Sequence, residues 1–515
     1  MGVKVALRIS ASFVVGLFIW AAPAAANDYV ADGTIVVDSG FRPDTNGYSF
    51  QNYGNEKKPA NLNAVNMQTL FGPRVCIAKS GAACKLTPGA EAWRKKQNAG
   101  MAGGHCEGMA ISSSFFFAGI GGTPPVVPEL TQTQKVQRAI AYTFVFQYLD
   151  SVFKSKVKSS PKAVLNTLSK NLPKGEPMVL GIYKRGPMGG HAMTPLAIED
   201  EGGGNFAILV YDNNNPGVIR EVNVNTNTNT WNYEGSTNPA EPADTYEGDA
   251  KTKTLEIEFA RKGLGVQPCP SGLCKPKAKK KKKKKKAARA PEDAGDQPET
   301  AQLLWEGDPD NGQHSDFTVT DADGNTTGCT GNKCVNEIPG AESIAPKFAG
   351  VEVWNQSAPP VVELPDGGEY EVDFDADGLE GDAEEGFSLI RDGVMFSLDD
   401  LDLQDGDEQS VKIDDREMTL INGSDHGIEP TLSYGDIVDG EGYEVAVRTS
   451  GLDDDSKLEL STEPGNSMLE LDLDGDKGEE ARITTVVTLT DEDGDVDVAK
   501  SDAEILEDGE QSTVS

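Results

Sequence analysis

At 515 residues and a formal charge of −36, the chain is too long for one ordinary core and has room for roughly two to four domains of about 100–200 residues. The charge is unevenly divided: residues 301–515 carry 57 Asp and Glu against 10 Lys and Arg, whereas residues 1–300 carry 26 against 37. So acidic a half excludes nucleic acid as its partner; a solvated, salt-adapted or calcium-loaded extracellular surface accounts for it.

The chain opens with Lys4 and Arg8, continues through the apolar run from Ala11 to Ala22, and reaches Ala24-Ala25-Ala26 before the polar Asn27. Basic, apolar and small-residue segments in that order form a secretory signal peptide over residues 1–26, cleaved near Ala26. A membrane anchor is the competing reading, but the run is short and ends in a processing site. No later segment reads as a membrane span. The expected product is secreted, periplasmic or held at the cell surface, where disulfides persist.

Six of the seven cysteines fall into close pairs, Cys76 with Cys84, Cys269 with Cys274 and Cys329 with Cys334, which are natural disulfide partners in an exported chain. Cys106 is left over. It stands in Gly103-Gly104-His105-Cys106-Glu107-Gly108-Met109-Ala110, followed by an apolar run through Phe117. Glycines there permit a tight turn, and the run predicts a buried helix beginning near the thiol. A helix start favours thiolate, the attacking species, and the amide of Cys106 would face a developing oxyanion.

A nucleophilic cysteine needs an imidazole, and the chain has four histidines. His314 and His426 lie in the acidic half, and His105 adjoins Cys106, so their side chains diverge. His191 remains, in Met188-Gly189-Gly190-His191-Ala192-Met193 at the head of an apolar strand. Residues 191–198 and 205–212 read as a hairpin centred near Gly202. Reflection through that centre sets Asp212 and Asn213 opposite His191, and a one-residue uncertainty in register leaves open which of them holds the ring. The stretch Thr131–Lys156 has helical spacing, Ser160-Pro161 marks a helix start, and strands begin at Met178.

The segments around Cys106, His191 and Val210-Tyr211-Asp212, in the order Cys, His, then Asn or Asp, resemble the papain-like cysteine peptidase superfamily, notably its bacterial double-glycine, bacteriocin-processing branch. The resemblance covers residues 60–235. It implies an α+β two-lobe domain, helices carrying the cysteine, antiparallel strands carrying the histidine, and a cleft between them; no cofactor is implied for catalysis. One departure is Gly100, which stands where the family carries its oxyanion glutamine, six residues before the cysteine. Gln97 and Asn98 are the nearest substitutes. About eighty residues precede Cys106 after the leader, which leaves a pro-segment, a lobe extension and an inserted subdomain open.

The catalytic domain is assigned to residues 27–268 and a disordered Lys-rich linker to 269–300, with eight lysines at Lys279–Lys286. Residues 301–515 read as one or two acidic immunoglobulin-like β-sandwich domains, from alternating runs such as Tyr370–Phe374, Tyr443–Val447 and Arg482–Val487. Asp373, Asp375 and Asp377 with Glu384 have the ligand spacing of a calcium loop, but strands rather than helices flank it. The acidic turns at Asp472–Asp476 and Asp491–Asp495 resemble those of bacterial surface repeats and serve equally as hairpin turns. The expected activity is hydrolysis of a protein or peptide substrate. The alternatives are a papain-fold acyltransferase or amidase on cell-wall peptides, and an inactive calcium-binding surface or adhesion protein.

Overall fold

The computed structural model describes residues 29, 31–79, 81–122, 125–184, 190–235, 244–270, 272–275, 300–308, 311–330, 333–347, 359–391, 393–462, 469–474, 480–491, 493–507 and 511–514. The leader, Met188-Gly189, the lysine run and Asp476 lie outside them. The fold mixes helices and sheets in its first half and is nearly all sheet in its second.

Helices dominate up to residue 174. Thr87 caps Pro88–Gly100 by accepting from Ala90 N at 3.2 Å, and Ser160 caps Pro161–Asn171 by accepting from Ala163 N at 3.2 Å. Helical spacing over 131–156 resolves into helices Gln134–Phe144 and Asp150–Phe153 joined by a 3-10 turn at Val145–Tyr148. The central helix, Cys106–Phe117, is buried along most of its length. It crosses Gln134–Phe144 so closely that a Cβ on Gly108 would lie 2.1 Å from the Ile140 carbonyl oxygen. Only glycine fits this crossing.

Against these helices lies an eight-stranded antiparallel sheet. From one edge it runs Leu255–Phe259, Met178–Tyr183, Gly190–Gly202, Asn205–Tyr211, Ile219–Asn225, and Thr34–Asp38 also pairs with Gly190–Gly202. The residues preceding Cys106 are built into this body. Leu62, Met67, Leu70 and Phe71 join the core that contains Cys106, and the Tyr48 hydroxyl bonds Ser112 Oγ at 2.9 Å.

All three expected cysteine pairs are bonded, and Cys106 is free and buried. Three disulfides suit an oxidising compartment, and no helix among the described residues is long and apolar enough to cross a membrane.

Two expectations about domain organisation are corrected. Residues 269–270 and 272–275 belong to the folded body rather than to the linker: Leu273 is buried, Thr87 Oγ1 donates to its carbonyl at 2.6 Å, and Lys275 N donates to Arg74 O at 2.9 Å. The disulfide between Cys269 and Cys274 makes a compact loop that packs, which composition alone does not reveal. The second half is not one or two small sandwiches. Sheets of ten and nine strands share one core running from Leu303, Phe387 and Phe396 on one layer to Phe317, Val372 and Leu460 on the other, where an immunoglobulin domain has about seven to nine strands in total. The strands expected at Tyr370, Tyr443 and Arg482 are present within Tyr370–Asp375, Glu441–Ser450 and Glu480–Thr490.

The two halves also share a core. Leu304, Ile344, Val361, Ile390 and Met395 of the acidic half enter the same core cluster as Cys106 and Trp93. Each such side chain contributes about 1.5–3 kcal/mol when removed from water, so the two halves fold as joined layers.

Candidate active site

The first turn of helix Cys106–Phe117 is fixed from three sides. Gly104 takes φ +132°, open only to glycine, to aim the chain into the helix. Asn52 Oδ1 accepts from His105 N at 2.7 Å, and Asn213 Nδ2 donates to Cys106 O at 3.1 Å. His105 itself is structural: its ring bonds Tyr53 O at 2.6 Å and Asn61 Oδ1 at 2.9 Å, and burial drives its pKa down to about 4.

His191 is the second residue of the strand Gly190–Gly202, paired with Ile182 on one neighbour. The other neighbour, Asn205–Tyr211, pairs Tyr211 with Thr194 and ends there, so Asp212 emerges beside His191. The paired residues turn about a point between Gly202 and Gly204, about one residue beyond the centre the sequence implied. His191 Nε2 meets Asp212 Oδ1 at 2.8 Å, and both groups are buried. Asn213 does different work. Its Nδ2 also donates to Ala192 O at 2.9 Å, stitching the strand of the histidine to the helix of the cysteine.

Asp212 collects four donors, namely His191, the Tyr233 hydroxyl at 2.5 Å, Asn214 N at 2.9 Å and Asn215 Nδ2 at 3.0 Å. Burial alone would raise its carboxyl, but His191, Tyr233 and Asn214 hold it down to about 2. Burial alone would lower His191; Asp212, and after it Cys106, raise it to about 10. With Nε2 committed to Asp212, Nδ1 is left without a hydrogen-bond partner. The site is therefore a buried His–Asp pair on a strand that Asn213 ties to the helix opened by the Cys106 thiol.

The other expected residues are distributed differently. Asn98 is engaged elsewhere, accepting from Leu62 N at 2.9 Å and donating to Leu62 O at 3.1 Å. Gln97 is buried and lines a cavity of about 50 Å³ with Tyr148 and Pro346. The calcium spacing is split over two layers. Asp373 and Asp375 lie on strand Tyr370–Asp375 of the nine-stranded sheet, with Asp377 just beyond, whereas Glu384 lies on Ala383–Arg391 of the ten-stranded sheet. The apolar Tyr370, Val372 and Phe374 are buried and pull this segment into a strand rather than a ligand loop. Among the described residues no group of three or more His, Cys, Asp and Glu is arranged to hold a metal ion.

Sequence reasoning missed a second cluster adjoining the first. Glu107, Glu256, Glu258 and Lys347 are fully buried, and Lys347 Nζ lies 2.5 Å from Glu258 Oε1, 3.1 Å from Glu256 Oε1 and 3.7 Å from Glu107 Oε2. Lys156 Nζ adds contacts of 2.8 Å to Glu258 and 3.4 Å to Glu256. Burial opposes ionisation of Glu256 and Glu258, but Lys156 and Lys347 hold both carboxyls below the ordinary range. Glu107 is pushed up, by burial first and by Glu258 second. Alternation in Leu255-Glu256-Ile257-Glu258 reads as a strand with a wet face, so the sequence carried no signal that this face is covered.

No family model, no curated protein and no solved structure matches this chain.

Proposed function

We propose that the chain is a cysteine hydrolase of papain-like type that cleaves peptide bonds, with Cys106 as nucleophile, His191 as base and Asp212 as the residue that orients and charges the imidazole. One observation carries the reading: the chain's one free cysteine opens a buried helix that Asn213 ties to the strand of His191, whose Nε2 is bound to a buried carboxylate.

Each group then has a task. Asp212 fixes the ring with Nδ1 toward the sulfur and favours the imidazolium, so His191 takes the thiol proton and Cys106 attacks as thiolate. The sulfur adds to the substrate carbonyl, and the oxyanion forms beside the first-turn amides of helix Cys106–Phe117, which have no acceptor within the helix. His191 returns its proton to the leaving amine as the C–N bond breaks. Water then attacks the thioester, giving up a proton to His191, and the acid is released with the thiol restored.

Substitution Cys106→Ala should abolish turnover of a peptide substrate while leaving the melting temperature within a few degrees of wild type, since a small buried side chain is exchanged for a smaller one. An electrophilic peptide probe should attach to Cys106. Attachment at another cysteine, or turnover retained by the alanine variant, would refute the proposal.

A further inference from the structure

The chain itself fills the space beside Cys106 and His191. From strand Glu342–Ile344 the chain runs through the buried Ile344, Pro346 and Lys347. Lys347 pairs in a parallel bridge with Gly190, the residue before His191. Gln147 reads its backbone from the other side: Lys347 N donates to Gln147 Oε1 at 2.7 Å, and Gln147 Nε2 lies 3.5 Å from Lys347 O. Two glycines clear the path. A Cβ on Gly190 would lie 2.6 Å from Pro346 O and 3.0 Å from Lys347 Cγ, and one on Gly181 would lie 3.0 Å from Lys347 Cδ. The ammonium then ends among Glu258, Glu256 and Glu107, the last being the residue after Cys106. Lys347 is thus bracketed by the immediate neighbours of the nucleophile and of the base.

Backbone pairing to a strand, with one side chain sunk in a matched pocket, is how extended peptides are recognised. The pocket is built for a long cation: three acidic side chains, Glu256 and Glu258 held ionised, face Lys347 with one other buried ammonium, Lys156, among them. As a fastening between halves the cluster is a poor choice, because desolvated ion pairs hold no better than apolar residues of the same volume. Leu304, Val361, Ile390 and Met395 already supply apolar contact there.

We infer that the pocket of Glu107, Glu256 and Glu258, entered past Gly181 and Gly190, selects a lysine side chain in the peptide substrate, and that Lys347 is its intramolecular occupant, closing the site in the folded chain. The inference rests on the reading of Cys106 and His191 as the reacting pair.

The test uses the full chain and two peptidyl probes identical except for lysine or norleucine at the residue bearing the electrophilic ketone. The rate of adduct formation at Cys106 is followed by mass spectrometry. Wild type should react at least about tenfold faster with the lysyl probe, since a site built around carboxylates is left unpaired by norleucine. Lys347→Ala should react with the lysyl probe at least about tenfold faster than wild type, because the competing occupant is gone. Equal rates for the two probes, or a Lys347→Ala chain no faster than wild type, would overturn the inference. If Lys347→Ala does not fold, the probe ratio in wild type decides alone. Iodoacetamide, which needs no pocket, separates the two readings: failure of both native chains to alkylate at Cys106 would defeat the catalytic assignment itself.

Discussion

Replacing Asp212 by Asn tests the centre of the site, because it keeps the shape of the side chain and removes its charge. In the native chain the carboxylate accepts from His191, Tyr233, Asn214 and Asn215 with no exposure to water. An amide has one acceptor oxygen and must turn its NH2 toward some of these donors, leaving at least one buried donor unsatisfied at about 1–3 kcal/mol. Loss of the charge partner of a buried imidazolium brings the total to roughly 3–5 kcal/mol. His191 rises from 6.5 to about 10 on folding, so its contribution is complete below pH 6.5 and is lost as pH rises through about 10. Asp212 falls from 3.8 to about 2, so its contribution is present above pH 3.8 and is lost as pH falls through about 2. Urea unfolding of wild type and Asp212→Asn should therefore differ by roughly 3–5 kcal/mol near pH 5.5, and by only the hydrogen-bond share of about 1–3 kcal/mol above pH 10. Peptide turnover should fall by about 10²–10⁴-fold, because the ring loses both its orientation and its charge partner. A stability difference below about 1 kcal/mol at pH 5.5, or one that is flat from there to pH 10.5, would refute the reasoning.

Asn213→Ala should destabilise by about 2–4 kcal/mol in the same unfolding assay, because the carbonyls of Cys106 and Ala192 both lose a buried donor; a cost under about 1 kcal/mol would show that the link between helix and strand is dispensable. Tyr233→Phe removes a donor that helps hold the Asp212 carboxyl down, so that carboxyl should titrate at higher pH. The acid limb of the stability profile should move upward in pH with the alkaline limb unchanged, and an unmoved acid limb would exclude this role for Tyr233.

The sequence by itself determined the three close cysteine pairs, the odd Cys106, and His191 as the only imidazole in the first half not adjoining that thiol. It also placed the hairpin axis to within about a residue, which brings Asp212 and Asn213 to the end of the strand that carries His191. These are matters of spacing and short-range register, where contacts follow from neighbours along the chain. Tertiary structure decided the rest: that Asp212 meets the ring while Asn213 ties Cys106 to Ala192, that the acidic half shares a core with the first half, and that Lys347 reaches Glu256 and Glu258 from about ninety residues away. An alternating strand announces that it has two faces. What covers the second face depends on how distant layers dock, and the pattern Leu255-Glu256-Ile257-Glu258 is the same whether water or a buried ammonium lies against it.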